Sequence, residues 1–356
     1  MEIILAIDKR GLIGRLRLVF AWYKRMVNEE TGRLAYMYHP ERDATAFDSP
    51  IRDIAAIWDI ELLSNYLKNR DLQPFVQNSL RYYSEFIRYS NTYAFLDPQL
   101  LGESSDISHS AFMILALSSS EMSGKEEKVI RLADGILRQQ RSDGSYKIYF
   151  GNESDDGLDL YPGEAMLALM EVYRFTLDRK YLKSVERGFY YYKSSYYEGG
   201  MVEPETLVYF ANWQSQFSFL LFQHTETEDL RKAIREYLFK LHDKIIEEAF
   251  YKSIEHYPHR YYSVAVACAL EGLNDAYSLA FLEKDRRIGD YHACICSGLT
   301  YLLKMQCIKD CAKKEKGSFG FSLMDRTQRV DVTGHAVNAI IKSLDNRVYR
   351  GSRGKT

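Results

Sequence analysis

The chain has 356 residues, enough to bury a large core, and its 46% hydrophobic and 27% charged residues place it with globular rather than disordered proteins. The formal net charge of −2 excludes the clustered cationic excess of a nucleic-acid or anionic-membrane surface. No apolar run approaches the roughly 20 residues of a membrane span, and the apolar start "MEIILAI" is broken at once by "DKR", so neither a span nor a secretory signal is expected.

In chain order, residues 1–28 read as an amphipathic basic helix, "LIGRLRLVFAWYKRMV", packed on the edge of the main domain. Residues 29–348 read as that one helical domain, and 349–356 as a polar, basic tail. Within the domain, helix starts recur at a spacing of about fifty residues, the mark of a repeat architecture. They fall near Arg52, Ile107, Tyr161, Leu207, Arg260, Tyr291 and Val332. Each opens on polar or aromatic residues and continues with small and apolar residues at helical spacing, as in "DLYPGEAMLALMEVYRF". Between several of them lies a second helix with one charged face, such as "KEEKVIRLADGILRQQ" and "EDLRKAIREYLFKLHDKII". The small-rich helices are therefore expected to be inner and the charged ones outer. Glycine-aromatic loops ("TGRLAY", "SDGSYKIYF", "YEGGMVEP", "KGSFGFS") punctuate the pairs, and few stretches read as long strands. The predicted fold class is all-α, an (α/α) toroid of about six to seven helical hairpins.

The alternation, the loops and the pair "YPGEAMLALMEVYRFTLDRKYLKSVERGFYY" resemble the six-hairpin (α/α toroid) glycosidase-like superfamily, over roughly residue 30 to the end. Its members include glycoside hydrolases, unsaturated uronyl hydrolases, sugar epimerases and the toroid parts of some lyases. The resemblance implies a carbohydrate-active enzyme, while fold alone does not fix the reaction.

Residues that precede or open the inner helices are the ones a central cavity would gather. Beside Asp48 and Asp106, they include Arg52, Asp53, Trp58, His109, Tyr161, Trp213, Gln214, Arg260, Tyr261, Tyr291, His292, Arg329 and His335 as substrate-binding candidates. An acid at such a place is also the expected helix cap. Capping does not account for Trp, Tyr, His and Arg recurring beside the acids. Carboxylates that bind hydroxyls and aromatic faces that stack on sugar rings do. Glycoside cleavage needs two carboxyl groups across the bond. The candidates are Asp156, Asp159 and Glu164 on one side and Glu203 and Glu205 on the other. Arg52, Arg260 and Arg329 could hold a uronate carboxylate, and His109, His292 and His335 could shuttle a proton in an epimerase.

Other strings compete. "DDGLD" fits a D-D-x-x-D magnesium motif and "QRSDGSY" a squalene-cyclase-like loop, the basis of a terpene-cyclase-like alternative. The five cysteines (Cys268, Cys294, Cys296, Cys307, Cys311) all follow residue 267. Their spacing is poor for structural zinc, so they read as small core residues and free thiols of a reduced, cytoplasmic protein. No metal and no cofactor are expected. The leading expectation is a glycoside hydrolase with paired carboxylates acting on an oligo- or polysaccharide. A sugar epimerase, a uronate lyase and a non-catalytic glycan-binding scaffold are the alternatives. The expected partner is a carbohydrate, not nucleic acid, and no oligomeric state is legible.

Overall fold

The structure, a computed structural model, describes residues 7–28, 31–46 and 49–349. Asp48 and the tail from residue 350 lie outside the described residues, so nothing is assigned to them.

Among the described residues, six helices are buried on nearly every face: α2 (Pro50–Leu67), α4 (Ile107–Ser119), α6 (Tyr161–Thr176), α8 (Leu207–His224), α11 (Ser263–Leu282) and α13 (Val330–Asp345). Their alanines, serines and glycines let backbones approach. A Cβ on Gly163 would stand 2.6 Å from Trp213 Cβ, so α6 and α8 meet only because that residue has no side chain. The helices α1 (Lys9–Met26), α3 (Gln73–Ser84), α5 (Lys125–Gln139), α7 (Arg179–Tyr190) and α9 (Glu228–Glu247) bury one stripe and turn a charged face to water, and α12 (Ile288–Met305) buries one stripe behind small residues. A short α10 (Phe250–His256) completes the set.

α12 departs from expectation. "YHACICSG" has the small residues of an inner helix, yet His292, Cys294 and Cys296 are only half-buried and Ala293 is exposed. α12 covers α11 from one side. "SEFIRYS" also ends in a strand rather than extending α3, and α7 runs on into a π-helical turn, Tyr191–Tyr197.

Contacts divide the chain into two compact units. Of the described residues, one holds 49–61 and 76–238, the other 7–28, 31–46, 62–75 and 239–349. In the former, α4 packs on α5 and α6, and α6 packs on α7 and α8. The antiparallel pair β5 (Ile87–Tyr89) and β6 (Ala94–Leu96) lies against α5, where Gly135 leaves room for the Ala94 carbonyl. The Gln140–Tyr146 loop is stapled to α7: Gln140 Nε2 donates to Ser184 O at 2.8 Å, and Tyr146 Oη pairs with Ser184 Oγ at 2.9 Å. These bonds give the cyclase-like string a structural role.

In the second unit, α11 packs along α13 and α12, and α1 packs on α13. Asp8 caps α1 by accepting from Gly11 N at 2.7 Å. A hairpin joins β1 (Val27–Asn28) to β2 (Arg33–Leu34). A three-stranded antiparallel sheet has β3 (Met37–His39) between β4 (Ala44–Ala46) and β7 (Gln328–Arg329), with Met37 opposite Arg329. β7 runs directly into α13, so this pairing sets where α13 begins. Cys307 and Cys311 follow the end of α12 in a loop and are joined in a disulfide, which corrects the expectation of five free thiols. The chain leaves helix after Met305, and Asp310, with φ of 56°, turns it back so that the sulfurs meet. Cys268, Cys294 and Cys296 remain thiols. No helix among the described residues is long and apolar enough to cross a membrane.

Candidate active site

Each unit gathers its own cluster at the starts of its buried helices. In the unit built around α4 and α6, Asp106 is the α4 N-cap and accepts from His109 N at 2.9 Å. Its carboxylate also faces His109 Nδ1 at 2.8 Å, and Glu103 faces His109 Nε2 at 2.7 Å. Glu103 in turn accepts from Ile51 N at 3.1 Å, tying the first turn of α2 to the loop before α4. Burial opposes a charge on His109, but hydrogen bonds to both carboxylates and their charges outweigh it and hold the imidazolium up to about 9. His109 is thus a fixed cation with both ring nitrogens engaged.

Beside it, Ser108 Oγ donates to Glu164, a buried acid in the first turn of α6. Tyr161, the first residue of α6, lies over Gly157, whose φ of +87° and missing Cβ make room for the ring. Burial raises the Tyr161 phenol pKa, the carboxylates of Asp106 and Glu164 add to that, and Arg52 opposes. That mutual influence places Arg52, Asp106, Tyr161 and Glu164 in one neighbourhood. Trp58 and Trp213 are joined through Phe112, with ring centroids 6.2 and 5.8 Å from it.

Other expected residues of this unit are tethered or in solvent. Asp53 is buried and accepts from Tyr83 Oη at 2.5 Å. Asp159 accepts from Tyr196 Oη at 2.7 Å and from Thr206 Oγ1, tying its loop to the π-helical turn. Gln214 accepts from Tyr237 Oη at 3.1 Å. Asp156, Glu203 and Glu205 are exposed, and residues 156–160 form turns rather than the helix a D-D-x-x-D metal motif requires.

In the unit built around α11 and α13, His335 Nδ1 lies 2.6 Å from Oε1 of Glu271, which is fully buried in α11. Cys268, one turn earlier on the same face, contacts His335 as well. Burial alone would push His335 down, but the negative charges beside it hold it well above the ordinary histidine value. Burial raises the Cys268 thiol, with His335 opposing.

One turn before His335, buried Asp331 receives Arg329 in a bidentate pair, Nε to Oδ1 at 2.9 Å and Nη2 to Oδ2. The same guanidinium lies 5.4 Å from the Tyr36 ring and 5.2 Å from the Phe321 ring, and Tyr262 stacks on Phe321 at 4.7 Å. Arg260 instead lies exposed over Tyr257, and the Tyr261 carbonyl accepts from Tyr301 Oη at 2.6 Å. Tyr291 is buried on α12 with its hydroxyl on Asp243 at 2.9 Å, and His292 faces Cys296 at 3.8 Å.

Sequence reasoning missed Glu103, Ser108, Phe112, Cys268 and Glu271. Glu271 had a readable signal: a carboxylate inside "SVAVACALEGLNDAYSLAFL" must be paired when that helix is buried.

No family model matches the chain, and no curated protein does. Solved structures do. A D-mannose isomerase superposes with a TM-score of 0.71 at 11% identity, covering 95% of this chain and 98% of the other. An unsaturated glucuronyl hydrolase from Bacillus sp. GL1 gives 0.65 at 13% identity over 96% and 99%. A cellobiose 2-epimerase from Bacillus thermoamylovorans gives 0.62 at 11% identity over 94% and 100%. The chain has the all-α toroid fold of these structures.

Proposed function

We propose that the protein is a carbohydrate-active enzyme that moves a proton at a sugar carbon, as an isomerase or epimerase does. The observation that carries this reading is the partly covered His335 paired with buried Glu271, 2.6 Å between donor and acceptor, with Cys268 beside it. Glu271 fixes the ring and stabilises its charge, the orienting role a third group has in a nucleophile–base constellation. His335 donates to a sugar oxygen, and the imidazole left behind is a base for the proton on the adjacent carbon. Cys268 is a second proton carrier at the same place. Arg329, held by Asp331 and flanked by Tyr36 and Phe321, presents a cation between aromatic faces, which suits a polyhydroxylated ligand. Similarity to a D-mannose isomerase and a cellobiose 2-epimerase supports the same class.

Solvent deuterium appearing at carbon 2 of D-mannose or cellobiose, followed by proton NMR, tests it. Exchange should be abolished in His335→Gln and fall at least tenfold in Glu271→Gln. Absence of exchange with both sugars, or exchange indifferent to His335, sinks the proposal.

A second reading, glycoside hydrolysis, draws on a different observation: buried Glu164, held by Ser108 near Tyr161 and Asp106. Burial is the environment in which a carboxyl group can serve as a general acid. Release of reducing ends from an unsaturated glucuronyl oligosaccharide, lost in Glu164→Gln, would favour it. The exposed Asp156, Glu203 and Glu205 lack that environment.

A further inference from the structure

We infer that Cys268, Glu271 and His335 also form a binding site for a thiophilic divalent cation of the zinc class, and that its occupation silences the proton-transfer centre. Only the silencing rests on the function proposed above; the site stands on geometry. The Cys268 sulfur, a Glu271 oxygen and a His335 ring nitrogen lie within 4.8 Å of one another. Zinc bonds of about 2.0–2.3 Å in a tetrahedron put donors roughly 3.2–3.8 Å apart, so side-chain rotation alone closes the set. Cys268 and Glu271 share one face of α11, and His335 comes from α13 packed along it.

Three different protein donors leave a fourth position for water, as in zinc sites that bind an exchangeable ligand. The sulfur selects against magnesium and calcium, which take oxygen donors. Cys268 is 1% exposed and Glu271 0%, whereas His335 is only partly covered, so an ion enters past the imidazole. Asp331 adds negative potential at Cys268. A metal on the imidazole and the sulfur removes the two lone pairs that would carry protons. His292 and Cys296 on α12, 3.8 Å apart, belong to no group of three such donors found among the described residues.

The test is an anaerobic titration of the chelator-treated full chain with cobalt(II), then zinc(II). One cobalt per chain should bind with thiolate-to-cobalt charge-transfer absorption, and zinc should displace it. Cys268→Ser should lose the absorption, Cys296→Ser should keep it, and His335→Gln should weaken cobalt binding at least about 100-fold with unchanged circular dichroism. If Cys268→Ser does not fold, the His335→Gln result decides. No charge-transfer absorption, its survival in Cys268→Ser, or its loss in Cys296→Ser overturns the inference. Cobalt bound as described in a chain that exchanges no sugar proton overturns the proton-transfer reading and leaves the metal site standing. Exchange without the cobalt signature does the reverse.

Discussion

His109 lends itself to a quantitative test, because both its nitrogens meet carboxylates inside a buried cluster. An imidazolium held at about 9 against an ordinary 6.5 contributes about 3 kcal/mol of stability, at about 1.36 kcal/mol per tenfold. The folded value lies above the unfolded one. The contribution is therefore whole below about pH 6.5 and is lost as pH rises through about 9. Replacing the residue, His109→Gln, removes the titration and keeps an amide in its place. Urea unfolding of both proteins at several pH values then gives a stability gap that should shrink by about 3 kcal/mol between pH 6 and pH 10. Taking the difference cancels lysine and tyrosine titrations common to both chains. Proton NMR of the His109 ring reads the same quantity directly. A gap constant across that range, or a ring titrating below pH 7, would refute the account of Asp106 and Glu103 as twin acceptors.

Three further outcomes are expected. Gly163→Ala forces α6 from α8 at Trp213 and should cost about 1–3 kcal/mol in chemical denaturation; a neutral result would mean the helices are not in that contact. Asp159→Ala removes the acceptor shared by Tyr196 and Thr206, and should cost about 2 kcal/mol and speed amide exchange in residues 191–206. Unchanged exchange there would remove the tether. Arg329→Lys keeps the charge but loses the bidentate pair with Asp331 and the flat contact with Tyr36 and Phe321. Sugar turnover should drop at least tenfold with the circular dichroism unchanged, and full retained activity would take Arg329 out of the site.

Much of the helical frame was legible because burial on all faces leaves a mark: small and apolar residues without a polar stripe, begun by a cap. Ile107, Tyr161 and Leu207 open their helices where the pattern says. α12 escaped because composition alone does not tell which face meets water, and half of "YHACICSG" does. The candidate sites were legible where they sit at helix starts, as with His109 and His335. They were illegible where a partner comes from mid-helix or from a loop far along the chain. Glu271 lies two turns inside α11, and Glu103 sits in the loop before α4 and accepts from the first turn of α2. Asp159 shows the converse. Its acids-before-helix context reads as chemistry, and its two hydroxyl donors make it an anchor.

The pairing of β7 with β3 has a consequence for how this protein is made. Thr327 and His39, 288 residues apart, lie within hydrogen-bonding distance beside that pairing, and Arg329 stands opposite Met37. Such a contact has a very high sequence separation, and closing it late is entropically slow. A chain emerging from the ribosome holds the first strand for most of its synthesis without its mate. The start of α13, and with it His335 and Arg329, is registered only once both ends of the polypeptide are present. Moving the termini by circular permutation into an exposed loop would convert this long-range closure into a local one, and refolding of that unit should quicken while its acid–base cluster stays intact.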